Sequence, residues 1–223
     1  MTTRRLLPIA LICLVSALNG TNAQGAIVVS FGPSNPGPLV AGSSGLLDVF
    51  VRTDAGSVRL DFFQVELSLS GPANGLLFAD PQSDAQLTNS NYAFFNVSSA
   101  QINFLPVGAV TGAGSIYRGS DATDNGVGLS SPIELTTANK LLYQLDLNAV
   151  TAGIYSISLN TGNTSFLDES LTPIDIGPST PGSITVKSVP EPSSLAFLAS
   201  LAGLSAYRLR RRLRETIGQL AQP

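Results

Sequence analysis

Leu60-Asp61-Phe62-Phe63-Gln64-Val65-Glu66-Leu67-Ser68-Leu69-Ser70 is the stretch on which the fold of this 223-residue chain turns. Phe63, Val65, Leu67 and Leu69 alternate with Gln64, Glu66 and Ser68. A period of two places the apolar side chains on one face and the polar ones on the other, the pattern of a strand half-buried in a sandwich. The same period recurs further along. Leu141, Tyr143, Leu145 and Leu147 alternate with Leu142, Gln144 and Asp146, and Tyr155, Ile157 and Leu159 alternate with Ser156 and Ser158.

Working outward, shorter strands are expected at 26–31, 46–52, 76–78, 92–97, 101–105 and 183–187. Between them stand breakers such as Gly32-Pro33-Ser34-Asn35-Pro36-Gly37-Pro38, Asn74-Gly75, Ala152-Gly153 and Thr161-Gly162-Asn163, which supply turn geometry. No twelve-residue window in this region has helical periodicity. Many short strands with this punctuation specify an all-β, antiparallel two-sheet sandwich.

Composition agrees and removes several functions. Hydrophobic residues are 43% of the chain, enough for a core, while charged residues are only 12% and His and Trp are absent. Without His, and with Cys13 as the only cysteine, catalysis by a Ser-His or Cys-His pair is excluded, and zinc loses its two commonest ligands. Between Gln24 and Val189, five basic residues (Arg52, Arg59, Arg118, Lys140, Lys187) meet thirteen acidic ones, a net of −8. So acidic a stretch lacks the basic footprint that nucleic acid requires. A carboxylate pair for glycoside hydrolysis is the remaining enzymatic option. The acids are scattered along strands and turns, however, and read as solubilising groups.

Both ends read as addresses rather than fold. Residues 1–23 carry Arg4 and Arg5, an apolar stretch from Leu6 to Leu18, and Thr21-Asn22-Ala23 at the cleavage positions, the three parts of a secretory signal peptide. Signal peptidase is expected to cut between Ala23 and Gln24, with Gly25 as the alternative. Thirteen residues of helix reach about 20 Å, short of the roughly 30 Å of bilayer hydrocarbon. Cys13 does not fit a lipid-acceptor site, because Ile12 precedes it where a small residue is needed.

At the other end, Val189-Pro190-Glu191-Pro192-Ser193-Ser194 leads into an apolar run at 195–207, followed by Arg208, Arg210, Arg211, Arg212 and Arg214. The two prolines keep the backbone around Glu191 extended, Ser193 and Ser194 can cap a following helix, and the arginines hold its far end on the cytoplasmic side. Positions 189–214 resemble the PEP-CTERM sorting signal, in which a Val-Pro-Glu-Pro motif, a short membrane helix and a basic cluster close the chain. The resemblance implies recognition by an exosortase, a membrane-embedded cysteine transpeptidase, which cuts near Pro190, Glu191 and Pro192. Delivery to the cell envelope or an exopolysaccharide matrix follows. The short tail 215–223 runs beyond the arginines, where many such signals stop.

The domain between, 24–188, has a resemblance of its own. A first strand and the turn Ala41-Gly42-Ser43-Ser44-Gly45 lead into Leu46-Leu47-Asp48-Val49-Phe50-Val51. Next come the long 60–70 strand, Leu76-Leu77-Phe78, the strands at 140–148 and 153–160, and a closing Gly182-Ser183-Ile184-Thr185-Val186. This order resembles the cohesin-like jelly roll, a fold shared with some cellulose-binding modules, and covers residues 26–187; an immunoglobulin-like sandwich is the alternative. The whole is then a sandwich flanked by an N-terminal signal helix and a short C-terminal membrane helix. Its expected role is that of a non-enzymatic envelope or matrix protein without a cofactor, or alternatively a module binding polysaccharide or protein.

Two features are candidate sites within the domain. Asp121, Asp124 and Asn125 precede Gly126 and offer oxygen ligands to Ca²⁺, although their spacing does not match an EF-hand loop and a solvated turn is the competing account. Asp168-Glu169 is a lesser candidate of the same kind. Tyr92, Phe94, Phe95 and Tyr117 could stack on sugars if exposed, but a place in the core is expected for them.

Overall fold

The computed structural model describes residues 25–33, 38–189, 200 and 201. The signal peptide with Ala23 and Gln24, the motif residues Pro190, Glu191, Pro192 and Ser193, and Arg208, Arg210, Arg211, Arg212 and Arg214 lie outside the described residues, as does nearly all of the 195–207 run. Among the described residues no helix is long and apolar enough to cross a membrane.

The expected two-sheet sandwich is what the chain forms. The smaller sheet orders β1 (Ile27–Pro33), β3 (Ser44–Thr53), β10 (Lys140–Ala149) and β6 (Leu76–Phe78). The larger sheet runs β2 (Leu39–Val40), β13 (Gly182–Lys187), β11 (Gly153–Leu159), β5 (Phe62–Ser70), β8 (Ile116–Ala122) and β7 (Gly108–Thr111). β12 (Ser165–Leu167) takes up the edge of β5 where β11 leaves it. Pairing is antiparallel throughout both sheets except between β13 and β2. A two-stranded ribbon of β4 (Val58–Leu60) and β9 (Ile133–Leu135) closes one end with Leu60 and Leu135, both fully buried.

The inward faces follow the alternation. β5 buries Phe63, Val65 and Leu67 against Val49, Tyr143 and Leu145 of the smaller sheet. Burying each such side chain contributes about 1.5–3 kcal/mol. Aromatic rings stitch the two layers together. Phe63 lies 5.2 Å from Phe94 and 5.6 Å from Tyr143, Tyr143 meets Tyr117 edge-on at 5.1 Å, and Tyr117 reaches Phe78 at 5.9 Å. Room for these rings comes from Gly119 in β8, where a Cβ would stand 2.6 Å from the Tyr143 hydroxyl and 2.7 Å from that of Tyr117. Among the described residues neither hydroxyl has a hydrogen-bond partner, and burial pushes both phenols well above their usual pKa.

Four expectations need correction. The 60–70 strand breaks at Asp61, so Leu60 belongs to the end ribbon and β5 begins at Phe62. In β10 a bulge between Leu141 and Tyr143 turns both Leu141 and Leu142 into buried positions. The segment at 92–97 is a run of turns, with Asn96 left-handed at φ 65°. The 101–105 segment is not a strand but the end of α1 (Ser99–Asn103), a single helical turn capped by Ser98 Oγ, which accepts from Gln101 N at 3.0 Å. Phe104, left-handed at φ 55°, ends it.

The sandwich has two distinct ends. One gathers the turns 41–43, 71–75, 112–115 and 150–152 with the exit of β13, tied by Gly42 N to Ala149 O (2.7 Å), Ala41 N to Lys187 O (2.8 Å) and Val150 N to Gly75 O (2.8 Å). The other receives the chain at Gly25 and gathers the 54–57, 89–107, 123–132 and 160–174 segments.

Candidate functional site

The outer face of the larger sheet is built from the polar half of each alternation. β13 contributes Ser183 and Thr185, β11 Ile154, Ser156 and Ser158, β5 Gln64, Glu66, Ser68 and Ser70, β8 Arg118 and Ser120, and β7 Ala109 and Thr111. Ser183, Thr185, Ser70, Ser120, Ala109 and Thr111 are exposed, so among the described residues no second layer covers this face. Most of its side chains are small, and Ser68 and Ser158 join their hydroxyls across the strand boundary at 3.0 Å. Among the described residues the strands bring one ring here, Phe62, half-buried beside Leu167 at one border.

A charged knot sits in the middle of this face. Glu66 and Arg118 are directly opposed in register, and the guanidinium forks onto Glu66 Oε2 through Nε at 2.9 Å and through its terminal nitrogen. The chain between β11 and β12 makes a short 3-10 turn at Thr161–Asn163, which lifts it out of the sheet. That turn places Asn160 Nδ2 2.6 Å and Asn163 Nδ2 2.8 Å from Glu66 Oε1, while Glu66 N donates to Thr164 Oγ1 at 3.2 Å. The Asn163 amide, the Arg118 guanidinium and the Asn160 amide together hold the Glu66 carboxyl below its usual range, against the cost of burial. Arg118 keeps 55% of its side chain exposed, so the knot presents a fixed cation to solvent while its carboxylate is spent.

The residues singled out as a calcium candidate do not converge. Asp121 points into the core and is 5% exposed. Its Oδ2 accepts from Tyr92 Oη at 2.7 Å and from Ser98 Oγ, and its Oδ1 accepts from Ala100 N at 3.1 Å and Ala122 N at 2.8 Å. Asp124 and Asn125 instead close the exposed turn beyond β8. Asp124 Oδ1 accepts from Gly126 N (2.8 Å) and Gly128 N (3.1 Å), and Asn125 Oδ1 from Val127 N (3.1 Å) and Leu129 N (3.3 Å). Asp168 likewise caps its own turn through Ser170 N and Thr172 N, and Glu169 pairs with Arg59 at 2.8 Å. Among the described residues no group of three metal-ligating side chains comes together.

Tyr92, Phe94 and Tyr117 are core residues, at most 1% exposed, and Phe95 is half-buried. Asp61 is also buried, and its Oδ1 accepts from the hydroxyls of Thr123 and Ser130. Asp61, Glu66 and Asp121 thus depart from the expectation that the acids are solubilising. An apolar cleft of about 350 Å³ opens between the sheets beside β1 and β13, lined by Phe31, Leu39, Leu47, Leu147, Ile157 and Ile184. Of the sorting motif the structure describes Val189 alone, which is exposed just past β13. Sequence reasoning passed over the Glu66–Arg118–Asn160–Asn163 knot. Its one legible signal was an acid in the middle of a long strand, since partners 52 and 97 residues away are set by register.

The fold and this uncovered face define an all-β sandwich of cohesin-like architecture. The cohesin module of a family 33 glycoside hydrolase from Clostridium perfringens superimposes on 74% of this chain over its entire length, with 8% identity and a TM-score of 0.51. A type II cohesin domain from the cellulosome of Acetivibrio cellulolyticus covers 72% of this chain and 95% of its own, at 12% identity and a TM-score of 0.44. No protein-family model matches the chain, and no curated protein does.

Proposed function

We propose that this protein is an exported, non-enzymatic recognition module whose outer sheet face binds a protein partner at the cell envelope. The observation that carries the reading is that face: seven strands with no covering layer among the described residues, small hydroxyl-bearing side chains, and one immobilised guanidinium at Arg118. Flat, rigid surfaces with a fixed Arg suit docking of another protein, because little side-chain entropy is lost on contact. A polysaccharide is the second candidate. It is disfavoured by the shortage of rings, since Tyr92, Phe94 and Tyr117 are withdrawn into the core.

Non-catalytic function is supported by the state of the carboxylates. Both oxygens of Glu66 and of Asp121 are engaged by hydrogen-bond donors, leaving neither placed for acid–base work. Delivery to the envelope is assigned to the two addresses read in the sequence: signal peptidase cutting at Ala23–Gln24, then an exosortase acting on the Val189–Ser193 motif while 195–207 holds the membrane. Exopolysaccharide and other envelope proteins are the surroundings this route implies.

A photo-crosslinker placed at Ser156 on the face, with a control at Asn148 on the opposite sheet, tests the binding role in the native host. The expected result is an adduct of discrete mass from Ser156 alone, sensitive to protease, resistant to glycosidase and lost with Arg118→Glu. Equal adducts from both sheets, or a glycosidase-sensitive one, overturn the protein-binding role. The mass of the mature protein tests the route: loss of about 23 residues in front and about 30 behind is expected.

A further inference from the structure

Five large apolar side chains stand in solvent at the end where the chain enters. Phe104 is 95% exposed, Val127 75%, Leu171 68%, Leu129 63% and Leu105 55%. They come from three loops rooted side by side at the start of β5. Asp124 N donates to Val97 O at 2.6 Å, Thr123 N to Asp61 O at 2.8 Å and Asp61 N to Leu167 O at 2.9 Å. Phe104 and Leu171 are also held left-handed, at φ 55° and 58°, a backbone region that bulky side chains rarely occupy. Neither burial nor local conformational preference accounts for these residues, and a cluster of this kind marks a binding surface.

The three loops, 98–107, 123–132 and 167–175, contain Asp124, Asp168, Glu169 and Asp175 but no lysine or arginine. Glu169 pairs with Arg59, whereas Asp124 and Asp168 give only Oδ1 to their own turns. The outer face of the larger sheet is the counterpart. Among the described residues its strands bring it one carboxylate, Glu66, which is spent on Arg118, Asn160 and Asn163, while the Arg118 guanidinium stays open to solvent. Ile154, 70% exposed, and Val40 add apolar area to it. Lys187 at its margin is discounted, since Glu191 follows it in the chain.

We infer that the partner taken up by this face is the loop end of a second copy of the chain, with Phe104, Val127, Leu129 and Leu171 set on the small side chains around Arg118 and the carboxylates of the tip beside its guanidinium. The inference rests on the protein-binding reading of the face and names its partner. Charge selects the pairing. The stretch from Gln24 to Val189 has a net charge of −8, so copies repel in most orientations, and tip against tip would crowd carboxylates together. Tip against face sets apolar loops and acids on a surface without a free carboxylate. The contact uses a different surface on each copy, so a joined pair still offers one tip and one face, and the contact can repeat from copy to copy.

The test places a photo-crosslinker at Leu129 in one full-length tagged copy, expressed in the native host beside a second copy with a different tag. The expected product joins the two tags, with the crosslink mapping to the outer face of the second copy. Arg118→Glu in the second copy should lower its yield at least about ten-fold, and so should Ile154→Asp, at an exposed position that folding does not depend on. The same substitutions in the copy that carries the crosslinker should leave the yield unchanged. A crosslink from tip to tip, an equal loss whichever copy is substituted, or no product joining two copies overturns the inference. The protein-binding reading survives each of these if a crosslinker at Ser156 still yields a protease-sensitive adduct with another protein, and falls as well if Ser156 yields none.

Discussion

Replacing Asp121 by alanine strikes the fastening that holds the irregular 89–107 segment to the sandwich. The carboxylate accepts from Tyr92 Oη, Ser98 Oγ, Ala100 N and Ala122 N, and Ser98 and Tyr92 are at most 1% exposed. Removing it leaves three donors from distant residues buried without an acceptor. Each such orphan costs about 1–3 kcal/mol. Relief of the carboxylate's own desolvation and the entry of water return part of this, so a net loss of about 3–5 kcal/mol is expected, the range for breaking a buried charged network. For a domain of this size that lowers Tm by roughly 6–20 °C. Urea titration followed by circular dichroism measures the loss, and hydrogen exchange at Ala100 and Gln101 shows whether the segment detaches first. Adding Tyr92→Phe to Asp121→Ala should cost less than Tyr92→Phe alone, because the hydroxyl has already lost its acceptor. A loss under about 1 kcal/mol for Asp121→Ala, or additive costs in the double variant, would refute the fastening role.

Glu66 has a folded-state pKa below its usual value near 4.5, so its contribution to stability is present above that pH and is lost as pH falls through the depressed value. Urea midpoints of wild type and Glu66→Gln should therefore differ at pH 7 and draw together as pH falls below 4.5; a constant gap contradicts this. Asp84 has the opposite sign: burial raises its pKa above 3.8, so the group weakens the fold once pH exceeds that range. Asp84 also sits left-handed at φ 51°, a conformation asparagine tolerates. Asp84→Asn is expected to raise Tm at pH 7 by up to about 2–4 °C and to gain nothing at pH 3; an equal gain at both pH values rejects the charge argument. Gly119→Ala pushes a methyl into the Tyr117 and Tyr143 hydroxyls and should cost about 1–3 kcal/mol by chemical denaturation, whereas a neutral result means the rings have room to move. Calcium at 10 mM should shift Tm by less than about 1 °C, because Asp121 faces away from Asp124; a rise of several degrees, as a millimolar site would give, reinstates the cation site.

Where alternation was clean, the strands were legible. Phe63 to Leu69, Leu145 to Leu147 and Tyr155 to Ile157 carry large apolar residues at every inward position, so the period announces itself. β8 escaped notice because its inward positions are Tyr117, Gly119 and Asp121, of which one is apolar. The glycine is there for two tyrosine rings, and the aspartate for Tyr92 and Ser98; neither partner is near in sequence. The 92–105 segment misled for a related reason. Its Tyr, Phe, Val and Ile residues suit a strand locally, yet Ser98 caps a helical turn that Asp121 clamps from 23 residues away. Asp121 was therefore noticed in the sequence but offered either to a cation or to a solvated turn, when its partners are the protein's own buried donors. The outer face was written in the polar half of each strand, while the Glu66 knot depended on the register of β5 with β8 and on the 3-10 turn beside β11.

The first and last strands run in the same direction along the sandwich, so the chain enters at one end and leaves at the other. A pull between the point where the chain enters and the point where it leaves draws β13 lengthwise against β11. Ladder hydrogen bonds lie across the strands, so such a pull shears the whole register from Gly153–Val186 to Ile157–Gly182 at once rather than unzipping it pair by pair. The domain is therefore mechanically strong along the axis that joins the entry and the exit of its chain.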